Sequence, residues 1–462
     1  MTVLSPLVLL LNNVKRNPNQ ISNFQFLISN ETEHSRKSLR LISKQLSKFK
    51  FLIKSKIDKI LIFLLILFLP TQLGKHFWPD FSFVNSIKID YYSPTIYFWD
   101  LILVIAVFYF LVIKRVKINK KALAVGIIFI VSQTISLISA TNIGAGVVRL
   151  EQLFIMCVFG ILIASLSIKN YSKEIYWGLI LGVLIESTLS VIQFMLGHSI
   201  GFWILGERTF SLSTLSIATF NYYGQIFLRP YGTFPHPNMM SAYMALTIPL
   251  IYYLGRAFKA VTTETIIAGS MSTLLSFSRG AILILGIEIL YFLRKRLKVL
   301  MILLILTLPF LIVRFSSAFN FDVLSLERRE DLAIIAIEQF LKNPLFGVGI
   351  NGFINVVAES GLVAGPTRFL QPVHNIFLLE LAETGILGLV GFLGLLGYPI
   401  YLLLRSERSL WRNILLFEFG AIIGLGMIDH YFLTLPQGQR LLFLIWGLAM
   451  LEYSGGDIKK GI

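Results

Sequence analysis

The chain has 462 residues, of which 55% are hydrophobic and only 14% are charged, and its formal net charge is +16. A typical soluble domain carries about 25% charged residues, so this composition excludes an ordinary soluble globular protein and indicates an integral membrane protein. The single cysteine, Cys157, excludes an intramolecular disulfide.

Residues 1–57 are a polar segment that precedes the first apolar stretch and is rich in basic residues. The segment lacks the aromatic and glycine pattern of an RNA-binding module, so the sequence predicts no nucleic-acid partner. Basic residues before a first membrane span favour a cytoplasmic location and contact with anionic membrane lipids. We therefore expect a basic cytoplasmic tail. Its lysines and arginines are Lys15, Arg16, Arg36, Lys37, Arg40, Lys44, Lys48, Lys50, Lys54 and Lys56.

The apolar stretches that follow this tail are candidates for membrane spans, each of which takes about 20 residues. About twelve can be counted, at 58–74, 96–113, 122–140, 149–167, 175–196, 238–254, 260–276, 280–294, 299–315, 375–403, 413–429 and 440–453. The sequence predicts an all-α polytopic membrane protein. Its expected parts are helices 1 to 9 over 58–314, a large extracytoplasmic loop over 315–374, and helices 10 to 12 over 375–455.

Basic residues in the connections predict the orientation of the chain. The connections after the even-numbered helices are basic, as at 114–121 and 294–298. Because cytoplasmic loops carry an excess of lysine and arginine, both termini are expected in the cytoplasm. The odd-numbered connections then face outward. Two of them are long, at 197–237 and 316–374, and long loops of this kind are where function is expected.

Three polar segments lead into helices that run inward from the outer face in this topology. They are RPYGTFPHPN at 229–238, SFSRGA at 276–281 and QPVHN at 371–375. Their outward N-termini present unpaired N–H groups and the positive end of the helix dipole, which favour an anion. Together with Arg229 and Arg279, these segments predict a phosphate-binding cluster on the outer face.

Arg279 lies in the turn between two short predicted helices. Residues 260–294 must supply both helices with about 17 residues each, fewer than the ~20 that a full crossing needs. The turn is therefore expected below the outer membrane boundary, where an arginine is costly unless it faces a polar cavity. Arg279 becomes a functional candidate, and the alternative is an arginine that reaches lipid phosphates at the interface.

Two other patterns suggest cofactors at first and then argue against them. Gly347, Gly349 and Gly352 in GVGING match the dinucleotide-binding fingerprint, but they follow a predicted helix at 327–341 instead of a strand. We expect a turn that returns the loop to the membrane. The histidines at the helix ends lack a ligand spacing such as His-Glu-x-x-His, so neither a metal nor another cofactor is predicted.

Taken together, the motifs resemble the O-antigen ligase and polymerase superfamily. An arginine precedes GTF-x-HPN, SRGA opens a later helix, NPLFGVGINGF lies in the large loop, and HN-x-x-L-x-x-x-x-E-x-G-x-x-G opens the next helix. The order and placement of the four motifs carry the resemblance over about residues 229–395. Before residue 220 the resemblance is one of topology only, and the tail is longer than the pattern needs.

The resemblance implies a GT-C-type membrane glycosyltransferase that works without a metal or a nucleotide. Such proteins take a glycan from undecaprenyl diphosphate at the outer face of the plasma (inner) membrane and transfer it to a lipid, saccharide or protein acceptor. By motif match, Arg229 and Arg279 carry over as the diphosphate-binding arginines, and His374 carries over as the essential outer-loop histidine.

The chemistry of the residues is compatible with that assignment. A histidine with an unperturbed pKa of ~6.5 suits a general base, so His374 is expected to accept the acceptor's proton, with Asn375 holding its geometry. Glu380 and Glu383 share a helix face deeper in the membrane and are expected to hold the bundle together. Weaker substrate-binding candidates are His236, Asn238, Ser278, Asn375, Glu383, Asp429 and His430.

Two alternatives to a ligase stay open at this point. A polymerase of the same superfamily would transfer the glycan to another lipid-linked repeat. A transporter of lipid-linked glycan belongs to a different class and would place ionisable residues along a path to both faces. In this sequence the strongest motifs all map to the predicted outer face, which favours the transferase.

Overall fold

The computed structural model describes residues 56–222, 224–294, 298, 301–302, 305–309, 323–361 and 370–451. The chain divides into two units, Met1–Asp58 and Lys59–Ile462. The predicted tail lies outside the described residues except for its last two. The described residues are those of the second unit, together with residue 56 and the first two residues of the helix that begins at Ile57.

The described part of the chain consists mainly of α-helices, which confirms the all-α fold class. The helices are α1 Ile57–Leu67, α2 Phe98–Phe108, α3 Lys120–Ile135, α4 Ile143–Ala164, α5 Ile168–Leu196, α6 Pro237–Leu254, α7 Lys259–Leu275, α8 Arg279–Leu293, α9 Val323–Lys342, α10 Phe353–Ser360, α11 Ile376–Arg405, α12 Leu410–Gly426, α13 Tyr431–Thr434 and α14 Pro436–Met450.

Several of these helices are suited to a membrane. Among the described residues, four segments are long and apolar enough to cross one, and Phe98–Ile113 is a shorter apolar helix. The four are Lys120–Ser139, Ile143–Ala164, Ile168–Leu196 and Ile376–Arg405. A helical membrane protein is therefore supported. The count of about twelve spans stays a prediction, and most of the predicted span at 299–315 lies outside the described residues.

Helices α6 and α14 form the centre of the bundle. Every residue of α14 is buried, and in α6 only Asn238 and Tyr252 are not. Both helices begin with a proline, which suits a first turn because the missing N–H has no helical partner in any case. Gly438 packs against the Met239 sulfur, so the first turns of α6 and α14 are neighbours. The polar residues next to these first turns are thereby brought together.

Short antiparallel strand pairs lie in two connections, after α1 and after α5. They are β1 Gly74–His76 with β4 Thr95–Tyr97, β2 Phe83–Val84 with β3 Ile87–Lys88, and β5 Thr219–Tyr222 with β6 Gln225–Leu228. Strand β6 ends immediately before Arg229, whose backbone N–H donates to the Ala218 carbonyl at 3.0 Å. The β5–β6 hairpin therefore fixes the backbone from which the Arg229 side chain extends.

The predicted large loop contains two helices, α9 and α10, and α9 covers the helix predicted at 327–341. The segment between them packs on α11, where the Val348 N–H donates to the Ala382 carbonyl at 2.9 Å. Gly347 has φ +64°, and a methyl group on it would lie 2.4 Å from the Glu383 carbonyl carbon. Glycine at this position is therefore required by close packing against a helix, which agrees with a turn and explains the motif without a nucleotide.

Candidate active site

Three side chains form a continuous hydrogen-bonded series next to the first turn of α6. Arg229 Nη2 donates to Asn238 Oδ1 at 2.6 Å, and Asn238 Nδ2 donates to Asp429 Oδ2 at 2.9 Å. Arg229 Nε also donates to the Ser276 carbonyl at 2.7 Å, three residues before α8 begins at Arg279. The series joins the end of β6, the start of α6, the turn before α8 and the end of α12.

Histidines surround the Asp429 carboxylate. Its Oδ1 accepts the His430 backbone N–H at 2.8 Å, and the His374 and His430 rings meet edge to face with their centroids 5.1 Å apart. The side-chain ligand atoms of Asp429, His374 and His430 lie within 4.8 Å of one another. His236 adds a further electrostatic contact to Asp429. Three of the six histidines of the chain, His236, His374 and His430, thus converge on one carboxylate.

Helix capping explains how the chain places these groups. His236 is the N-cap of α6, and its Nδ1 accepts the Asn238 backbone N–H at 3.1 Å. Asn375 is the N-cap of α11, and its Oδ1 accepts the N–H groups of Phe377 and Leu378. The Asn375 amide also donates to the Met427 carbonyl at 3.2 Å, which ties the start of α11 to the end of α12. His374 is held beside Asp429 by that tie.

That Asn375 holds the geometry of His374 stays a prediction, and the hydrogen bonds of the Asn375 side chain indicate the route by which it would do so. Its side chain bonds backbone groups of α11 and of residue 427, and it makes no hydrogen bond to the His374 ring. Asn375 therefore positions His374 through the backbone. The His374 Nδ1 atom is buried and has no hydrogen-bond partner among the residues that the structure describes.

Burial keeps the imidazoles neutral at pH 7. It lowers the pKa of His430 to about 3 and that of His236 to about 3, although the nearby Asp429 carboxylate acts in the opposite direction. Burial also lowers the pKa of His374, and Arg329 lowers it further while Asp429 raises it. For Arg229, burial lowers the pKa to about 10, so the guanidinium stays charged at neutral pH. The site thus combines a fixed cation with uncharged histidines.

Arg279 is more exposed to solvent than the half-buried Arg229. It is the first residue of α8, its side chain is exposed, and it forms no ion pair or hydrogen bond to the residues that the structure describes. It lies within electrostatic range of Arg229. The preceding Ser278 is buried and is the N-cap of α8, but its hydroxyl makes no capping bond. Helices α7 and α8 have 17 and 15 residues, as short as the sequence predicted.

Two arginines that the sequence reading did not single out also reach this region. Arg208 donates to the Pro235 carbonyl at 2.8 Å and stands over the Tyr231 ring. Arg329, on α9, donates to the Ile428 carbonyl at 3.3 Å. Both belong to long connections that return to the bundle far from their place in the sequence. The sequence alone shows only that each of these two residues is a cation in a predicted outer loop.

Glu383 is buried elsewhere, in contact with the large connection. It accepts the Phe353 backbone N–H at 3.3 Å at the first residue of α10, and it lies within electrostatic range of Arg149. Arg149 donates to Asn351 Oδ1 at 3.2 Å and to the Leu433 carbonyl. In a nucleotide-binding protein with a glycine-rich loop, a phosphate binds at the start of the helix that follows the loop. In this protein the Glu383 carboxylate occupies that position at the start of α10. Glu383 therefore serves to dock the large connection.

The spacing of His374, Asp429 and His430 is one at which an ion could be held. Protein hydrogen bonds already engage two of these three groups. Both Asp429 oxygens already accept protein N–H groups, and His430 Nδ1 lies 2.6 Å from Thr434 Oγ1. The absence of a metal stays a prediction, and the three groups are interpreted below as a proton-handling cluster.

Comparison with known proteins adds a family to this geometry. Residues 265–393 match the family model described as O-antigen ligase. No curated protein matches the chain. The match confirms the resemblance to the O-antigen ligase and polymerase superfamily. It supports a ligase-like or polymerase-like enzyme of surface polysaccharide synthesis that uses a lipid-linked glycan and an acceptor.

The matched segment contains only part of the cluster. Arg279 and His374 lie within it, whereas Arg229, Asn238 and Asp429 lie outside. Hydrogen bonds from Arg229 to the Ser276 carbonyl and from Asn375 to the Met427 carbonyl join the two parts into one site.

Proposed function

We propose that this protein transfers a glycan from undecaprenyl diphosphate to an acceptor at the outer face of the plasma membrane, in the manner of an O-antigen ligase. The observation that carries the proposal is the series from Arg229 through Asn238 to Asp429, which links a fixed cation to a cluster of neutral histidines. A phosphate-binding group and a proton acceptor are the two functions that this transfer needs.

The arginines are proposed to bind the diphosphate and stabilise it as it leaves. When the glycosyl bond breaks, negative charge develops on the departing diphosphate, and preorganised cations stabilise that charge. Arg229 is fixed by two hydrogen bonds and is half-buried, so it needs no rearrangement. Arg279 is exposed at the N-terminus of α8, where its free guanidinium and the helix dipole favour the same anion.

His374 is proposed to act as the general base. The acceptor hydroxyl oxygen attacks the anomeric carbon, the bond from that carbon to the diphosphate oxygen breaks, and the hydroxyl proton passes to the imidazole. A neutral ring is required to accept it, and burial favours the neutral ring. Asp429 lies close enough to stabilise the imidazolium that results, in the role that a carboxylate plays beside a catalytic histidine.

The membrane topology is part of the same proposal. The basic connections that follow the even-numbered predicted membrane spans support cytoplasmic termini and an outward active site. The helices α6, α8 and α11 all begin at residues of the cluster or next to them, so their positive ends face the same region. An outward site agrees with a donor that is presented on the outer leaflet.

Reconstitution tests the function directly. The purified full-length protein in liposomes would be given an undecaprenyl-diphosphate glycan and candidate lipid, saccharide or protein acceptors. Transfer to an acceptor of a different kind supports a ligase, and chain extension identifies a polymerase. Movement of the donor between leaflets without covalent change would contradict the proposal and identify a transporter.

A further inference from the structure

A groove with a volume of about 680 Å³ lies where the connection after α1 meets the start of α4 and helix α10. This volume falls within the ~300–1,000 Å³ that ligand sites usually have. Its walls come from residues 81–85, 141–144 and 355–359, none of which belongs to the cluster around Asp429. All three segments lie in connections that the topology places on the outer face, so the groove and the cluster are expected on the same side of the membrane.

Two phenylalanine rings form the apolar part of the groove. Phe81 and Phe83 both line it and are half-buried, so each ring keeps part of its surface open to the groove. The Phe81 ring packs on Gly144, where a methyl group would lie 2.5 Å from the ring. The ring is therefore held against the first turn of α4. A fixed phenyl ring offers a flat apolar surface, which suits the C–H face of a sugar ring.

The polar side chains of the groove keep hydrogen-bonding groups unused. Asn355 Oδ1 accepts the Tyr92 hydroxyl at 3.1 Å, whereas the Asn355 Nδ2 group makes no hydrogen bond to the residues that the structure describes. The side chains of Asn85, Thr141 and Glu359 likewise have no hydrogen bond or ion pair within the described part of the chain. Amides and a hydroxyl supply both donors and acceptors, and a carboxylate is a strong acceptor. Sugar hydroxyls need this mixture.

The charge of the groove separates it from the phosphate-binding half of the active site. Glu359 is the only charged residue among the described residues that line the groove. A carboxylate repels a phosphate, so the groove does not suit the diphosphate of the donor. Its polar groups do not suit a hydrocarbon tail either, because they would lose their hydration without gaining partners. An uncharged ligand with many hydroxyl groups fits both properties.

Two consecutive tyrosines connect the groove with the catalytic cluster. Tyr92 donates to Asn355 in the groove wall, and the Tyr91 ring meets the His430 ring edge to face with the centroids 5.9 Å apart. The Tyr91 carbonyl accepts the Asn351 side-chain amide at 2.9 Å, which fixes this turn against the large connection. A glycan whose reacting end lies at the cluster can therefore place its other sugars in the groove.

We propose that the groove binds sugar units of a substrate glycan that are remote from the transferred bond. The proposal rests on the proposed function and adds a saccharide subsite to it. Phe81 and Phe83 would contact the apolar faces of the sugars, and Asn355 and Glu359 would bind their hydroxyls. Such a subsite contributes to transfer because binding energy from the non-reacting part of a substrate can be used at the reacting centre.

The test measures binding to the full-length protein in nanodiscs. The probes are two glycans free of lipid and phosphate, one released from the donor and one from a saccharide-bearing acceptor. Glu359→Gln and Phe83→Leu are compared with Glu338→Gln and Phe77→Leu, which change an exposed carboxylate and an exposed ring outside the groove. We expect Glu359→Gln to weaken the binding of at least one glycan by about 10-fold or more, as loss of a charged hydrogen bond predicts. Phe83→Leu should weaken it by about 3-fold or more, and the controls should bind like the unaltered protein.

The outcomes separate the saccharide subsite from the proposed function. A loss with the donor glycan alone places the donor's sugars in the groove, a loss with the acceptor glycan alone places the acceptor's sugars there, and either result supports the proposal. If neither glycan binds, or if the groove variants bind like their controls, the subsite is overturned while transfer by the unaltered protein leaves the proposed function intact. Failure of transfer with every donor and acceptor overturns both. A thermal melt confirms that each variant is folded.

Discussion

The side-chain amide of Asn238 donates to the Asp429 carboxylate at 2.9 Å, and this bond connects the phosphate-binding half of the site to its histidine half. The same amide accepts from Arg229 at 2.6 Å through its oxygen. Asn238 is one of only two residues in α6 that are not buried. Its orientation is therefore set on both sides by charged partners, which is the arrangement of a positioning residue.

Loss of that connection should slow the transfer without unfolding the protein. We predict that Asn238→Ala lowers kcat by about 10-fold to 100-fold, because Arg229 and Asp429 both lose a partner that fixes them. The KM for the donor should change less than kcat. The measurement is steady-state transfer in liposomes. Asn413→Ala, at an exposed position on α12, is the matched control and should leave both constants unchanged.

Arg279 should be more sensitive to removal of its charge than to a change of its shape. Arg279→Ala is expected to lower kcat/KM by about 100-fold or more, the usual effect of removing a donor to a developing anion. Arg279→Lys keeps the charge but not the planar fork, so it should recover part of the rate. Arg256→Ala removes another exposed arginine, which stands over the Tyr253 ring, and it should have no effect. Equal losses in both alanine variants would contradict a specific role.

The pH dependence of transfer should report the protonation state of His374. The protonated ring cannot act as a base, so the rate should rise as pH rises through a pKa that burial holds below the ordinary value, and should be constant near neutral pH. Asp429 raises the pKa of His374, while Arg329 lowers it and His430 and His236 lie close by.

The sign of a substitution effect follows from these charges. Asp429→Asn removes the carboxylate that favours the imidazolium, so the acidic limb of the rate profile should move to lower pH while the maximal rate falls. Arg329→Lys, which keeps the charge, should leave the limb nearly unchanged. The measurement is kcat as a function of pH in vesicles. A limb that does not move in Asp429→Asn would contradict the assignment of His374 as the titrating base.

The local features of the site could be predicted from the sequence because each is a short motif at a helix start. Arg229, Arg279 and His374 stand before or at the first residues of α6, α8 and α11, where periodicity and proline mark a boundary. Helical rise places Glu380 and Glu383 beyond His374 on one face of α11, and both side chains are buried.

The remaining features depend on contacts between distant segments. Neither the approach of Asn238 to Asp429 nor that of Arg329 to Ile428 has a local signature, since 191 and 99 positions separate the partners. The sequence also leaves open how Asn375 would hold His374, because a side chain next to a histidine can bond the ring or cap the helix, and the sequence alone does not distinguish these two arrangements. The match of the family model, at 265–393, likewise omits Arg229, Asn238 and Asp429.

A chelator distinguishes the proton-handling interpretation of the histidine cluster from a metal site. If transfer needs no ion at His374, Asp429 and His430, prolonged treatment with EDTA followed by gel filtration should leave the rate unchanged. Elemental analysis of the treated protein is the control for complete removal. Loss of activity that returns only with one added divalent cation would show that the cluster binds a metal and would contradict the base mechanism as written.

Close packing of the large connection on α11 predicts opposite effects for two glycine substitutions. Gly347 has φ +64°, and a methyl group there would lie 2.4 Å from the Glu383 backbone, so Gly347→Ala should destabilise the fold by about 2 kcal/mol or more. Gly394, within α11, has no atom within 4 Å of the same methyl position. Gly394→Ala should therefore be neutral or stabilise the helix by up to about 1 kcal/mol.

The melting temperature in detergent measures both effects on stability. Binding of undecaprenyl diphosphate then shows whether either substitution affects the candidate site. Because Gly347 fixes the segment that follows α9, the Gly347→Ala variant should also bind undecaprenyl diphosphate more weakly, since α9 contacts the candidate site through the hydrogen bond from Arg329 to the Ile428 carbonyl next to Asp429. Gly394→Ala should bind it normally. If Gly347→Ala lowers the melting temperature and leaves donor binding intact, the large connection would stabilise the fold without contributing to the donor site.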